Sequence, residues 1–287
     1  MKIPPYGNHY GTGAFRKTFL KDVLICSLGA YGGPETHISV FLKQMVHKKG
    51  YLSEEELIEL LALNSILPGP TSTQTIVSMG YKVGGRLLAL LTLLVWALPV
   101  IILMTLASFL YSLLERQGVS TTVLRFIGPM AVGFIIYAAV KIGRKVVIDK
   151  TTAALFLFSG ITSFFFRQPW VFPLVLLSGG AASATLNREP GMWNSLPLQP
   201  PWRFFIIFGI IALGALILAA ISDARPVQLF ENFYRYGYLV FGGGQVVVPI
   251  MQSELVELRH YMTNQEFLTG YGLVQGLPGP MFSFAAY

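Results

Sequence analysis

The run Pro68-Gly69-Pro70-Thr71-Ser72-Thr73-Gln74 sets a backbone break directly before three hydroxyls and an amide. Proline and glycine end one helix there, and the hydroxyl run opens the next, whose first N–H groups and positive dipole end face back into the break. A fully ionised oxyanion carries only acceptor oxygens, so a cradle of Ser, Thr and amide donors suits it. A second break, Gly32-Gly33-Pro34, leads into Glu35, Thr36 and His37. Pro34 fits the first helical position, and Glu35 and His37 are the side chains there that could carry a proton. Each reading has a plainer competitor. The hydroxyls of Thr71 to Thr75 could cap a kinked helix, Glu35 could pair with a cation, and His37 could serve packing alone.

Both breaks recur. At an offset of 210 residues, Tyr31 to Pro70 aligns without a gap on Phe241 to Pro280, with ten identities in forty positions, against roughly three expected by chance. Gly32 and Gly33 fall on Gly242 and Gly243, and Leu67-Pro68-Gly69-Pro70 falls on Leu277-Pro278-Gly279-Pro280. The site candidates of the second copy are therefore Gly243, Gln245, Pro278, Gly279 and Pro280, with Ser283 repeating the hydroxyl. Gln245 and Val247 stand where Glu35 and His37 do, and Gly244 replaces Pro34. Ser53 with Glu56, and Thr263 with Glu266, both fit a capping box that starts a helix.

The elements that carry these breaks are apolar. The chain is 53% hydrophobic and 12% charged over 287 residues, with mean hydropathy +0.59, whereas soluble domains carry about 25% charged residues. Spans are predicted at about 87–113, 124–143, 150–166, 170–187 and 203–222, several near the roughly 20 residues that cross a hydrocarbon core. Trp170 and Trp202 stand at span ends as interface anchors. The predicted fold is all-α: a polytopic membrane protein, an inverted-repeat transporter with Gly/Pro-interrupted re-entrant helices. Its divisions are a cytoplasmic N-terminal segment (1–17), a first copy (18–189), a linker (190–202), a connecting span (203–225) and an incomplete second copy (226–287). Interrupted helices at matching places in two inverted halves point to a binding site near the midplane.

Five crossings after Arg86 invert the second copy relative to the first. Lys43, Lys48, Lys49, Lys82, Arg86 and Lys141 to Lys150 then fall on one side, the cytoplasmic one. Ser253 to Arg259, the counterpart of the Lys43 to Lys49 stretch, keeps one positive residue and adds Glu254 and Glu257, which suits the opposite side. By the same count Leu20 to Val46 and Glu54 to Lys82 are each re-entrant hairpins, although two full crossings give the same parity. The first seventeen residues contain no signal-peptide core, so the N-terminus is expected in the cytoplasm.

The net charge of +7 lies in short loops and forms no basic stripe, which argues against nucleic acid. Cys26 is the single cysteine and the four histidines show no ligand spacing, so neither a disulfide framework, a metal site nor a cofactor is expected. Enzyme signatures such as HExxH and GxSxG are missing.

In its glycine-glycine-proline and proline-glycine-proline breaks, about 35 residues apart and recurring in a second half, the sequence resembles the chromate ion transporter family. The matching stretches are Tyr31 to His37, Leu67 to Gln74, Phe241 to Gln245 and Leu277 to Phe282. The resemblance implies export of chromate, as a sulfate mimic, driven by the proton gradient, across the inner membrane, with chromate resistance as the outcome. Sulfate or another small oxyanion is the alternative substrate, and a fragment with an assembly role the alternative function. The partners implied are the oxyanion and the lipid bilayer, with a second copy of the chain as a further candidate. Long members complete both halves, so the expectation here is a C-terminally truncated sequence. The inverted arrangement is testable: a cytoplasmic reporter fused after Arg225 should be inactive, and activity there overturns it.

Overall fold

A computed structural model describes residues 13–31, 34–117, 126–166, 171–186, 202–240, 244 and 247–287. Every regular element among them is helical. Contacts divide the chain into two units, one of residues 1–138, 240–248 and 260–287, the other of residues 139–239 and 249–259.

In the first unit, α1 (Gly13–Gly29) is followed by α2 (Pro34–Phe41), which continues as a π-helical turn, Leu42–Lys48. The chain returns on itself, because Asp22 on α1 meets residues from the far end of the second arm. Gln44 Nε2 donates to Asp22 Oδ1 at 2.7 Å and Tyr51 Oη to Oδ2 at 2.6 Å, while Lys49 Nζ lies 3.4 Å from the same carboxylate. One buried acid is thus served by three donors, as a charge in low dielectric requires. Phe15, Phe19, Val23, Phe41 and Met45 close the apolar side of this hairpin.

The next hairpin is built the same way. α3 (Glu54–Ile66) starts at the Ser53/Glu56 capping box and stops at Leu67, and α4 (Thr71–Arg116) follows the Pro-Gly-Pro break. Glu56 at the start of α3 pairs with Lys82 at 2.8 Å, and Asn64 Nδ2 reaches Thr75 Oγ1 and Ser78 Oγ, both at 3.4 Å. The arms are therefore antiparallel, with the break at the tip. Lys82 and the Ser53 amide together hold the Glu56 carboxyl below its usual range. α3 has 13 residues, about 20 Å of helix, too short for a hydrocarbon core of about 30 Å. The base of the hairpin, at Glu56 and Lys82, is held together by that ion pair.

α4 is helical in two pieces. Gly84 and Gly85 leave helical angles, Gly85 at φ 73° and ψ −165°, and the chain reverses there. A Cβ built on Gly80 would lie 2.4 Å from Thr92 Oγ1 and 3.3 Å from the Ala89 backbone, contacts that a straight helix, rising about 1.5 Å per residue, could not bring together. The second piece, 86–116, carries Pro99 and is long enough to span. α5 (Ile127–Val146) completes this part of the chain.

In the second unit α6 (Lys150–Phe165) packs on α7 (Val171–Leu186). An Asp149/Thr152 capping box opens α6, and the Thr152 amide and hydroxyl hold the Asp149 carboxyl below its usual range. α8 (Trp202–Ile221) carries no charged residue from Phe204 to Ile221 and leaves Phe204, Ile210, Leu213 and Ile221 exposed. Such a coat suits lipid and not water. α9 (Arg225–Leu239) is tied to the end of α8 by Gln228 Nε2, which donates to the Ala219 and Ser222 carbonyls. Past α10 (Val248–Gln252) another π-helical turn, Ser253–Leu258, stands where Leu42–Lys48 stands in the first copy. The chain ends in α11 (Asn264–Gln275), opened by the Thr263/Glu266 capping box, and a 3-10 turn, Met281–Ala286, both in the first unit.

The Gly84-Gly85 hairpin depends on Gly80 having no side chain. Gly80→Ala should lower stability by about 1–3 kcal/mol, the usual range for overpacking a filled contact, because Thr92 is held by its own bond to the Leu88 carbonyl at 2.7 Å. Thermal unfolding in detergent checks this, and an unchanged midpoint would show that the arms do not pack here.

Candidate functional site

The two Pro-Gly-Pro breaks meet in the first unit. Gly69 N donates to the Val240 carbonyl at 2.7 Å, and Gly279 N donates to the Ala30 carbonyl at 2.9 Å. At the 210-residue offset Gly279 is the counterpart of Gly69, and Val240 that of Ala30. Each copy thus gives its break amide to the same carbonyl of the other, the reciprocal pattern of a two-fold axis. Local backbone follows suit: Gly69 and Gly279 have φ of 124° and 105°, and Gly50 and His260 have φ of 61° and 51°.

Around the break the side chains brace each other. Gln74 Nε2 donates to the Pro68 carbonyl at 2.7 Å, closing the turn over Gly69, and Thr75 Oγ1 donates to the Thr71 carbonyl at 2.7 Å. Ser72 and His37 are buried, with His37 Nδ1 2.9 Å from Ser72 Oγ. Trp96 Nε1 donates to Thr73 Oγ1 at 3.1 Å, and its ring packs edge-on against His37 and Phe41. The Trp96 carbonyl, next to the one that Pro99 leaves without a helical donor, accepts from Ser27 Oγ at 2.8 Å.

His37, Pro70, Thr71, Ser72, Thr73, Gly244, Pro280, Met281 and Phe282 enclose a cleft of about 20 Å³, space for roughly one water molecule. Beside it a wider, largely apolar cavity of about 320 Å³ is lined by Pro70, Thr73, Ala97, Ile101, Pro280, Phe282, Ser283, Ala285 and Ala286. Of the sequence candidates, Pro70, Thr71, Ser72, Thr73, His37 and Pro280 come together at the cleft. Pro68, Gly69 and Gln74 form the break behind it, as Pro278 and Gly279 do on the other side. Gly32, Gly33, Gly243 and Gln245 lie outside the described residues, as do the side chains of Pro34 and Glu35 and all of Trp170. Two residues the sequence did not single out belong to the site, Trp96 and Ser27. Nothing in their local pattern marks them, since each acts through contacts more than twenty residues away.

The sequence pattern of the chromate transporter family matches residues 18–184 and 227–287. The chain belongs to the chromate transporter family. A chromate transport protein of Pseudomonas aeruginosa is 27% identical over 274 residues, covering 94% of this chain and 64% of that protein. A probable chromate transport protein of Synechococcus elongatus is 27% identical over 88% of this chain and 64% of its own length. A chromate transport protein of Cupriavidus metallidurans is 22% identical over 88% of this chain and 61% of itself. The chain therefore spans somewhat under two thirds of these relatives. No solved structure gives a significant match. As a family member, the protein is an all-α membrane protein.

Both break glycines are conformationally obligatory. A Cβ on Gly69 would lie 2.5 Å from Gln74 Nε2, and one on Gly279 3.0 Å from Val100 Cγ1. Gly69→Ala and Gly279→Ala should each cost about 1–3 kcal/mol through left-handed strain alone, and Gly69→Ala more, because it also displaces the Gln74 brace. Comparative unfolding of the two variants in detergent measures the order.

Proposed function

We propose that the protein carries chromate out of the cell by secondary active transport coupled to protons, in the inner membrane with its N-terminus in the cytoplasm. The observation that carries this reading is the meeting of two Pro-Gly-Pro breaks over a cleft lined by Thr71, Ser72 and Thr73. Chromate is a dianion whose oxygens accept hydrogen bonds. The three hydroxyls and the N-terminal turn of α4 offer donors and a positive dipole end, with no carboxylate among the described lining residues to repel it. Relatives named as chromate transport proteins from two bacteria support the same substrate.

At about 20 Å³ the cleft holds roughly a water and not a tetrahedral oxyanion. The arrangement is a closed one, and loading requires the break tips to part. The Gly69 and Gly279 amides would then exchange a carbonyl partner for an anion oxygen, so that substrate and opening favour each other. Alternating access follows if the tips release toward one side at a time. Sulfate shares chromate's charge and shape, and is the second substrate this chemistry accepts. The proton is assigned to His37 or Glu35 by their place beside the break.

Thr71→Val and Thr73→Val together keep side-chain volume while removing two donors. The pair should weaken chromate binding by about 1–3 kcal/mol, the cost of lost hydrogen bonds to a charged partner, without altering membrane insertion. Unchanged binding would place the anion elsewhere. The deciding measurement is chromate uptake into everted vesicles by this chain and by a version extended with a full second copy, with and without excess sulfate. Uptake that sulfate suppresses supports the oxyanion reading; no uptake by either version rejects it.

A further inference from the structure

The base of the first hairpin has a counterpart in the second copy, and the two differ in charge. At the 210-residue offset Asp22 corresponds to Asn232, and Gln44 to Glu254: the acid has moved from one arm to the other, and a second acid, Glu231, has been added. The first knot is balanced, with Asp22 served by Gln44, Tyr51 and Lys49. The second is not.

In that second knot, which lies within the second unit, Glu231 and Glu254 are 6% and 4% exposed and share one guanidinium. Arg235 Nε and Nη2 clamp Glu231 at 2.6 and 3.1 Å. The same Nη2 also lies 2.7 Å from Glu254 Oε1 and 3.1 Å from Asn232 Oδ1. An Nη2 nitrogen has two hydrogens, and here it faces three acceptors. With both acids ionised the group is one donor short and carries one uncompensated negative charge, which is costly in a buried site. Asn232 is fully buried and its Nδ2 has no acceptor among the described residues. With Oδ1 held by Arg235, the Nδ2 hydrogens are left to donate to an oxygen brought from outside, such as that of a water.

We propose that the Glu231–Arg235–Glu254 cluster is a proton-binding site in which Glu254 takes up and releases the proton that drives transport, with Asn232 holding the water that delivers it. This rests on the proton-coupled reading above and moves the coupling group away from His37 and Glu35. Glu254 is the carrier because Glu231 is gripped by two nitrogens, the arrangement that best suits an ionised carboxylate. When the water takes a proton from the bulk and passes one on to Glu254 Oε1, remaining neutral itself, the new O–H becomes the missing donor and the cluster becomes neutral. When the proton returns to water the charge of minus one is restored, with no other bond made or broken. Among the described residues, the other titratable groups on the elements around the cluster are these. α9 contributes Tyr234, Tyr236 and Tyr238, with the Tyr236 hydroxyl donating to Glu254 Oε2 at 3.0 Å. Asp223 and Arg225 stand at the start of α9, Glu257 lies on the π-helical turn, and Arg259 caps that turn, its backbone N–H donating to the Glu254 carbonyl at 2.9 Å. α8 has no titratable residue between Phe204 and Ile221, and α10 has none.

The test uses the full chain in two assays. In purified protein, pH-difference infrared spectroscopy should show a protonated carboxyl stretch that Glu254→Gln removes and Glu257→Gln retains; a band that survives Glu254→Gln overturns the proposal. In everted vesicles, Glu254→Gln should keep chromate counterflow but lose the accumulation that a pH gradient drives, and Glu254→Asp should recover part of it. Gradient-driven accumulation equal to that of the unaltered chain overturns it too. Should Glu254→Gln fail to fold, Tyr236→Phe serves instead: losing the hydroxyl that donates to this carboxyl group should shift the frequency of the band, and an unshifted band counts against Glu254. If the unaltered chain moves no chromate, the transport reading fails, while the infrared assay still decides whether Glu254 binds a proton.

Discussion

A backbone amide in a place that water does not reach must find an acceptor, and the two break glycines solve that problem with each other's copy. Gly69 and Gly279 stand where proline has stopped the helical ladder, so their N–H groups have no partner within their own hairpins. Each is taken by the carbonyl at the end of the opposite first arm. Within the first unit, α3, α4 and α11 with their capping boxes deliver the tips to that meeting point. The hydroxyls of Thr71, Ser72 and Thr73 are carried there by the same geometry, because α4 begins directly after Pro70.

Short arms make this possible. Arms about 20 Å long end in tips that meet those of the other copy, the Gly69 and Gly279 amides reaching the Val240 and Ala30 carbonyls. The polar groups at the hairpin bases do a different task. They hold buried charge with matched donors, as at Asp22, and the mismatch at Glu254 stands out because the matched case is present in the same chain.

Much of this was legible in the residues. Proline and glycine announce breaks wherever they stand, so both Pro-Gly-Pro tips and both capping boxes could be read directly. The 210-residue self-alignment named the counterparts that turn out to exchange hydrogen bonds. The Gly84-Gly85 reversal was less visible, since glycine pairs also occur in continuous spans and only the contact of Gly80 with Thr92 shows the chain doubling back. Trp96 read as one more apolar span residue; its role comes from a bond to Thr73, set by tertiary packing. Glu254 read as a charge that biases topology, because burial beside Arg235 is a property of the fold and not of the local sequence. The same self-alignment held the clue, in the exchange of acid and amide between positions 22 and 232 and positions 44 and 254.

The reciprocal clasp also sets an order of events during biosynthesis. The carbonyl that Gly69 needs belongs to Val240, which leaves the ribosome on the order of ten seconds later at elongation rates of about 5–20 residues per second. Until then the tip of the first copy must keep its amide wet, lean on a neighbouring chain, or be sheltered by insertion machinery. A nascent chain of this kind enters the membrane with the hydrogen bond of its first break still unmade.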